Sequence, residues 1–345
     1  MNSATAALEL SLRFLGVSQG DEVITSAYTY TASASVIHHV GAKIILIDTS
    51  PNSFEMDYDK LESAITEKTK VIIPVDIAGV MCDYDRINKI VENKKKIYQA
   101  NNDRQKSIGR ITILADAAHS FGALRNGKKS GEVADITCFS FHAVKNLTTA
   151  EGGALVWKNN FGLSDDEIYT EFMLLSIHGQ SKDALSKMKK GAWEYDIIYP
   201  GYKTNMTDVL AAIGNVQLKR YEDLLNKRFQ IVKLYETLLK DSKIEIIKHY
   251  GNSFRSSAHL LLCNLEGLTE EQRNRVIIDL ASMDIATNVH YKPLPMLTAY
   301  KNLGFDIKNY PNAYKKYSNE ITLPLHTLLT HDDVVYISNC LKELV

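Results

Sequence analysis

The amino-acid sequence predicts an α/β fold with a large domain built on a mostly parallel sheet, followed by a small C-terminal α+β domain. In the first half of the chain, short β-branched runs alternate with helical patterns. This alternation is typical of a parallel sheet covered by helices on both faces. Beyond Lys240 the order of strand and helix patterns changes, which indicates a second unit. We therefore predict a large domain over residues 1–235 and a small domain over residues 236–345.

Each predicted strand of the first half is a short apolar run rich in β-branched residues. The six runs cover residues 22–25, 43–47, 70–75, 111–115, 136–141 and 154–157. Helical patterns between them cover residues 4–15, 32–39, 58–65 and 84–93. The polar, lysine-rich segment 94–110 predicts the tail of a helix and a solvated loop, in which residues 101–109 form a surface insertion.

The second half begins with a long helical pattern over residues 206–240, in which apolar residues fall along one side. Strands are then predicted near residues 244–247, 259–265 and 285–289, with a helix over 270–282 between them. A last helix covers about residues 332–344. These elements form the predicted small domain.

The composition excludes several classes of function. The net charge is −1, so no basic surface recruits nucleic acid or an anionic membrane. No apolar run approaches the length of a membrane span. The four cysteines (Cys82, Cys138, Cys263 and Cys340) lack the spacing of a zinc or redox site. We expect a cytoplasmic protein with reduced cysteines, no metal site, and neither nucleic acid nor membrane as a partner.

Asp116 and Lys145 are the strongest candidates for chemistry. Asp116 ends one β-branched run, and Lys145 follows another 29 residues later, with Ser140 five residues before it. Strand carboxyl ends meet at one edge of a parallel sheet, where ligands bind. A carboxylate, a hydroxyl and an amine at this edge could hold pyridoxal phosphate, with the amine as Schiff-base partner and the carboxylate on the pyridinium nitrogen. Taken singly, a solvated lysine and a capping aspartate are simpler interpretations, but their joint placement favours the cofactor.

Three further features could contribute to such a site. Ala4 and Thr5 open a predicted helix whose free N–H groups suit a phosphate, although a plain helix start is equally consistent. Tyr28 and Tyr30 follow the first strand, and one of them could stack on a planar ring or pack in the core. His119 could contact the phenolic oxygen of the ring, or it could be a hydrogen-bonded structural histidine.

Four motifs are specific in combination: NSATAAL, ADAAHSFGA, FSFHAVKNLTTAEGG and PGYKTNMTDVLAAIGNVQL. On these motifs, over nearly its whole length, the chain resembles the DegT/DnrJ/EryC1/StrS family of sugar aminotransferases. The resemblance implies a fold-type I enzyme that uses pyridoxal phosphate. It also implies transfer of an amino group from an amino acid, L-glutamate in the family, to a 4-keto nucleotide sugar. Such reactions serve surface polysaccharide, lipopolysaccharide or glycan biosynthesis.

The resemblance implies a role toward the cofactor ring for five residues. Lys145 matches the Schiff-base lysine, which also moves protons between the substrate carbon and the cofactor. Asp116 matches the partner of the pyridinium nitrogen, and His119 matches the residue near the phenolic oxygen. Tyr30 matches the stacking aromatic residue, with Ala118 against the other face of the ring.

The same resemblance implies contacts with the phosphate and with the substrate. Ser140 and the backbone at Ala4 and Thr5 match phosphate contacts. Asn205 matches a residue that reaches the phosphate across a dimer interface, which implies a homodimer with shared active sites. The candidates for contact with the nucleotide sugar are Tyr291 and Lys292.

Two alternatives accompany this interpretation. Members of the family carry roughly forty to fifty residues ahead of the NSATAAL segment, which Met1 directly precedes here. A shortened, catalytically impaired member could act as a binding or regulatory protein. Some relatives are pyridoxal-dependent dehydratases of keto sugars, but these have a histidine at the position of Lys145, which argues against that activity.

Overall fold

The structure, a computed structural model, describes residues 1–181 and 193–345. Its strands are β1 (Glu22–Ser26), β2 (Lys43–Ile47), β3 (Thr69–Ile73), β4 (Thr112–Asp116), β5 (Leu124–Arg125), β6 (Lys128–Lys129), β7 (Ile136–Ser140), β8 (Gly153–Trp157), β9 (Ile244–Ile246), β10 (Phe254–Arg255), β11 (Leu261–Leu265) and β12 (Glu320–Leu323). The main sheet has the order β2-β1-β3-β4-β7-β8, in which only β8 runs antiparallel to its neighbour. The predicted mostly parallel sheet is confirmed.

Helices pack around this sheet and around a second, smaller one. Within the described residues they are α1 (Ala4–Phe14), α2 (Ala32–His39), α3 (Tyr58–Ala64), α4 (Tyr84–Lys94), α5 (Asp103–Ile108), α6 (Asp165–Ser176), α7 (Asp208–Leu218), α8 (Tyr221–Leu238), α9 (Glu270–Ser282), α10 (Thr298–Asn302), α11 (Pro311–Ser318) and α12 (His331–Leu344). Short 3₁₀ turns lie at Ile77–Gly79, Lys95–Ile97, Leu294–Met296 and Ile307–Asn309. None of the helices in this described part is long and apolar enough to cross a membrane.

The main sheet separates two apolar cores, because successive side chains of a strand point to opposite faces. On β3, Val71 and Ile73 enter the core that α1, α2 and α6 cover, whereas Ile72 enters the core under α3 and α4. All five residues of β3 are buried, which explains why its three apolar residues, Val71 to Ile73, follow one another without alternation. The result is the three-layer architecture of a large α/β domain.

A third core lies in the C-terminal part of the chain. Antiparallel strands β9, β11 and β12 form a sheet, and α8, α9 and α12 contribute apolar side chains to its core. This core begins at Phe229 on α8 and extends to Val345. It is the α+β unit that the sequence predicts, and the proposed boundary at residue 235 lies within α8.

One predicted loop is wrong in detail. Residues 101–109 contain the short helix α5 instead of an irregular surface loop. Asn102 Oδ1 caps it by accepting a bond of 2.9 Å from the Gln105 N–H, and Gly109 ends it with φ 66°. Gln105 is buried and donates to the Leu15 carbonyl at 3.1 Å, so the segment is packed on the large domain.

Two predictions in the second half are also corrected. The single helix over 206–240 is divided into α7 and α8, and Arg220 between them has non-helical dihedrals. The predicted strand 285–289 forms only one isolated bridge, from Asn288 to Thr322, and β12 provides the third strand instead. In this segment the Ile285 N–H donates to the Leu280 carbonyl and the Val289 N–H to the Asn288 side chain, and the next N–H, that of His290, donates to Glu320.

Candidate active site

A cavity of about 420 Å³ lies at the carboxyl ends of the parallel strands and brings most of the predicted site residues together. Asp116 ends β4, and Ser140 ends the adjacent β7. The predicted residues that line the cavity are Ala4, Thr5, Tyr30, Asp116, Ala118, His119, Ser140, Lys145 and Tyr291. Asn205 and Lys292 are not among its lining residues. Asn205 instead accepts a bond from Lys203 Nζ, and Lys292 is exposed.

The carboxyl group of Asp116 is buried and held from two sides. Ser33 Oγ donates to its Oδ2 at 2.6 Å, and the Ala118 N–H donates to its Oδ1 at 3.2 Å. Burial raises the pKa of Asp116, while these two bonds and the charge of Lys145 oppose the rise. The group is therefore fixed in orientation and placed to pair with a cationic ligand atom in the cavity.

Lys145 lies in a turn after β7, where its N–H donates to the His142 carbonyl at 2.9 Å. Burial lowers the pKa of its amine to about 8, and the charge of Asp116 opposes this shift. At pH 7 a pKa of 8 leaves roughly one amine in ten neutral, against roughly one in three thousand for an ordinary lysine. Lys145 is therefore a competent nucleophile near neutral pH, as the sequence predicts from its apolar neighbours.

His119 forms part of the cavity wall beside Tyr291. Its Nε2 lies 3.2 Å from the Tyr291 hydroxyl, and its ring centroid lies 4.4 Å from that of His259. Burial, with the nearby Lys145 charge, lowers the pKa of His119 well below its ordinary value, so the ring is neutral. His119 Nδ1 is buried and has no hydrogen-bond partner within the described part of the chain.

The beginning of α1 forms another wall. Ser3 caps this helix by accepting a bond of 3.1 Å from the Ala6 N–H, and the first N–H groups of a helix have no partner within it. Ala4 and Thr5 of this first turn line the cavity. Gly153 on β8 allows this placement, since a Cβ there would lie 2.6 Å from the Ala4 nitrogen. The helix N-terminus is thus a candidate anion site at the cavity wall.

The cavity and the residues that hold its lining include side chains that the sequence interpretation missed. Asp76 lines it, and like Asp116 it follows a buried β-branched strand, a signal that could have identified it. Ser33, which holds Asp116, lies on α2 and has no distinguishing sequence pattern. His290 lines the cavity too, although the sequence marks it only as one of several lone histidines.

The donor set fits pyridoxal phosphate. The cavity offers a nucleophilic amine for an aldehyde, a buried carboxylate for a pyridinium nitrogen, and a helix N-terminus with a serine hydroxyl for a phosphate. The unpartnered Nδ1 of His119 is a further polar atom that a ligand oxygen or a water could satisfy.

Comparison with known proteins agrees with this geometry. Residues 1–342 match the DegT/DnrJ/EryC1/StrS aminotransferase family. The structure superimposes with a TM-score of 0.97 on Spr1654 of Streptococcus pneumoniae, described as a sugar aminotransferase, in its PMP form; the identity is 56% over 99% of this chain and 86% of that chain. The same protein is also known in a PLP form, with a TM-score of 0.95.

Two relatives have names that specify a process or a reaction. The spore coat polysaccharide biosynthesis protein SpsC of Bacillus subtilis is 33% identical over 100% of this chain and 84% of its own. The UDP-4-amino-4-deoxy-L-arabinose–oxoglutarate aminotransferase of Shewanella sediminis is 31% identical over 100% of this chain and 85% of its own. The resemblance drawn from the four motifs is thereby confirmed: the chain belongs to the DegT/DnrJ/EryC1/StrS aminotransferase family and is a pyridoxal phosphate-dependent sugar aminotransferase.

Proposed function

We propose that the protein transfers an amino group from L-glutamate to C4 of a 4-keto nucleotide sugar, for surface polysaccharide, lipopolysaccharide or glycan biosynthesis. The observation that carries this proposal is the common cavity of Lys145 and Asp116 at the strand carboxyl ends. The names of two relatives support the details, one specifying polysaccharide biosynthesis and the other a 4-amino UDP-sugar with oxoglutarate.

The proposed chemistry divides between two residues. When bound, pyridoxal phosphate supplies an aldehyde that takes up amino groups and a ring that spreads carbanion charge. Lys145 would hold the cofactor covalently until the amino donor displaces it. Its free amine would then move a proton between the substrate carbon and the cofactor, for which a pKa of about 8 is suited. Asp116 would pair with the ring nitrogen and keep it protonated.

The other cavity residues are proposed to position the cofactor and the sugar. Tyr30 is exposed at the cavity edge, with its ring centroid 5.7 Å from that of Tyr291, where the two rings can cover a planar ligand. Ala118 would contact the opposite face, and His119 the phenolic oxygen. The phosphate would bind Ser140 and the N–H groups of the first turn of α1, and Tyr291 and Lys292 would contact the nucleotide sugar.

We also propose a homodimer with shared active sites. Helix α7 has no buried residue in the described part of the chain, although many of its side chains are apolar. Val209 and Val216 are 72% and 59% exposed, and Leu218 is 53% exposed. Apolar exposure of this extent on one helix marks an interface. Asn205, just before α7, would then reach the phosphate of the partner's site.

Borohydride reduction followed by peptide mass mapping tests the proposal at its centre. Reduced protein supplied with the cofactor should carry the label on Lys145, and a label at another lysine would contradict the assignment. A Lys145→Ala variant should show no turnover with L-glutamate and a panel of 4-keto nucleotide sugars. A protein that binds the cofactor and remains unchanged with every amino donor would favour the alternative of a binding or regulatory protein.

A further inference from the structure

A buried carboxyl group outside the proposed machinery is connected to the cavity through a short chain of hydrogen bonds. Glu320, on β12 of the small sheet, has no exposed surface. The hydroxyl of Thr322 lies 2.6 Å from Glu320 Oε1, and His290 Nδ1 lies 2.9 Å from the same hydroxyl. His290 in turn lines the cavity that contains Lys145.

The backbone of His290 is fixed by the same carboxyl group. The His290 N–H donates to Glu320 Oε2 at 2.9 Å, and the Tyr28 hydroxyl donates to the His290 carbonyl at 3.0 Å. Thr322 is also paired with Asn288 through two backbone hydrogen bonds, so the backbone is fixed at both His290 and Thr322. Among the described residues, His290 Nε2 has no partner and is the ring nitrogen left for a ligand in the cavity.

The hydrogen bonds from Glu320 through Thr322 to His290 can be arranged in two ways, and every bond is made in both. With Glu320 ionised, the Thr322 hydroxyl donates to Oε1, His290 Nδ1–H donates to Thr322, and His290 Nε2 carries a lone pair. With a proton on Oε1, the carboxyl group donates to Thr322, Thr322 donates to Nδ1, and Nε2 carries the hydrogen. Oε2 takes no part in the reversal, because it accepts from a backbone N–H that cannot become an acceptor.

We propose that Glu320, Thr322 and His290 form a proton relay that gives the active-site cavity a second acid–base group besides Lys145. A proton taken up at His290 Nε2 is matched by transfer of the Nδ1 proton to Thr322 and of the hydroxyl proton to Glu320 Oε1. One proton thus moves from the cavity to Glu320, and the imidazole ends neutral. The proposal rests on the proposed aminotransferase function.

The electrostatic setting of the relay suits proton exchange near neutral pH. Burial raises the pKa of Glu320 to about 8, against the bonds from Thr322 and His290 and the charge of Arg273. The other titratable groups that face Glu320 are Cys263 on β11, Tyr28 and Tyr291. Each of these has a pKa raised by burial, so none brings a competing charge near pH 8.

The histidine end of the relay stays uncharged. Burial and the charge of Lys145 lower the pKa of His290 to about 4, and His119 and His259 beside it are neutral for the same reasons. His290 therefore does not store the proton and passes it to the carboxyl group.

The amino donor supplies the proton that this relay accepts. An amino acid arrives as an ammonium ion and becomes a nucleophile only when it loses a proton, since the lone pair is otherwise occupied. Transfer of that proton to His290 Nε2 leaves a neutral amine in the cavity and a neutral carboxylic acid at Glu320. The relay accepts a proton only while Glu320 is ionised, so the rate should rise as the pH increases through about 8.

The kinetic test measures the single-turnover loss of visible cofactor absorbance after L-glutamate is added. Glu320→Gln keeps the bonds to Thr322 and His290 but carries no titratable proton. It should slow this half-reaction on the order of a hundredfold and remove the inflection near pH 8. Thr322→Val should have the same effect, whereas Thr322→Ser should restore the rate and the inflection. Glu245→Gln, at an exposed position on β9, is the matched control.

A second measurement needs no cofactor. Nitrogen-15 NMR of labelled cofactor-free protein should show the His290 ring changing tautomer near pH 8, together with loss of the infrared band of a protonated carboxyl group. Both changes should disappear in Glu320→Gln, and in Thr322→Val the carboxyl band should titrate without the change in His290. A single His290 tautomer at all pH values, or unchanged pH profiles in the variants, would overturn the relay. If L-glutamate caused no change in the cofactor absorbance of the unmodified protein, that result would instead refute the proposed function.

Discussion

At the residue scale, Lys145 and Asp116 influence each other's protonation across the cavity. Burial lowers the pKa of the amine, and the carboxylate counteracts part of that shift. The reverse also holds, since the lysine charge opposes the rise that burial causes in the pKa of Asp116. The lysine charge therefore favours the ionised form of the carboxyl group, which suits pairing with a pyridinium nitrogen, while burial favours the neutral form of the amine, which suits covalent capture of an aldehyde.

The rate at which cofactor-free protein takes up pyridoxal phosphate should follow the neutral fraction of Lys145. We expect it to rise with pH up to about 8 and then level off, as monitored by visible absorbance. Asp116→Asn removes the charge that raises the pKa of the amine, so the profile should shift to lower pH while turnover falls by on the order of a hundredfold or more. A profile that keeps rising toward pH 10 would contradict the lowered pKa.

These two residues could be identified from the sequence, whereas their supports could not. Asp116 and Lys145 each follow a β-branched run, so the pattern alone places Asp116 at the end of one strand and Lys145 in the segment after another. Ser33 contacts Asp116 only because the fold brings the start of α2 within hydrogen-bond distance of the end of β4, which no local pattern records. The relay of Glu320, Thr322 and His290 likewise depends on contact between β12 and a loop of the same unit.

At the scale of elements, helix α1 and strand β8 together form the side of the cavity at which we propose that the phosphate binds. Gly153 pairs with Met1 through two backbone bonds of 3.0 Å, so the helix start is held directly against the strand. A side chain at this glycine would force the backbone of Ser3 and Ala4 to move. The position of the anion site therefore depends on a residue that has no side chain of its own.

Gly153→Ala should weaken cofactor binding by displacing the first turn of α1. Overpacking of this kind costs about 1–3 kcal/mol, and we expect the Kd for pyridoxal phosphate to rise on the order of tenfold. Fluorescence titration of the cofactor-free protein with pyridoxal phosphate measures this Kd. Gly251→Ala is a suitable control, because its Cβ would meet only the side-chain ring of Phe254. Equal affinities in the two variants would show that the glycine does not position the anion site.

Helix α7 should hold the dimer together if its apolar side chains form the interface. Val216→Glu places a charge at a position that is 59% exposed in the single chain, so it should leave the fold intact and produce monomers. Size-exclusion chromatography with light scattering measures the mass. Ile278→Glu on α9, at a side chain that is 68% exposed, is the matched control and should leave the mass unchanged. A dimeric Val216→Glu protein would place the interface elsewhere.

At the scale of the whole molecule, buried neutral histidines make stability depend on pH. Burial lowers the pKa values of His119 and His259 well below their ordinary range, and those of His249 and His290 to about 4. The unfolded chain takes up protons on these rings near pH 6.5, and the folded chain does not. Each ring therefore lowers the free energy of unfolding as the pH falls from about 6.5 toward its folded pKa.

His249→Gln isolates one such contribution away from the cavity. The ring of His249 is buried beside Ser256, with Nδ1 2.8 Å from the hydroxyl. When the pH is lowered from 7.5 to 5.5, this histidine should reduce the free energy of unfolding by about 1.3 kcal/mol. The loss of unfolding free energy in the His249→Gln variant should be smaller by that amount. Urea denaturation at the two pH values measures the free energy of unfolding. His331→Gln, with an exposed ring, should behave as the unmodified protein does; an equal effect would refute the burial argument.

The sequence alone determined the class of fold, the large α/β unit followed by a smaller α+β unit, and it singled out the lysine and aspartate that the structure brings into one cavity. It could do so because strand ends, helix starts and the spacing of polar residues after apolar runs are local properties of the chain. The tertiary structure alone decided where α7 ends and α8 begins, that β12 takes the place expected for residues 285–289, and that His290 is joined to Glu320. These features arise from competition among distant segments for the same backbone and side-chain hydrogen bonds, which no local pattern contains.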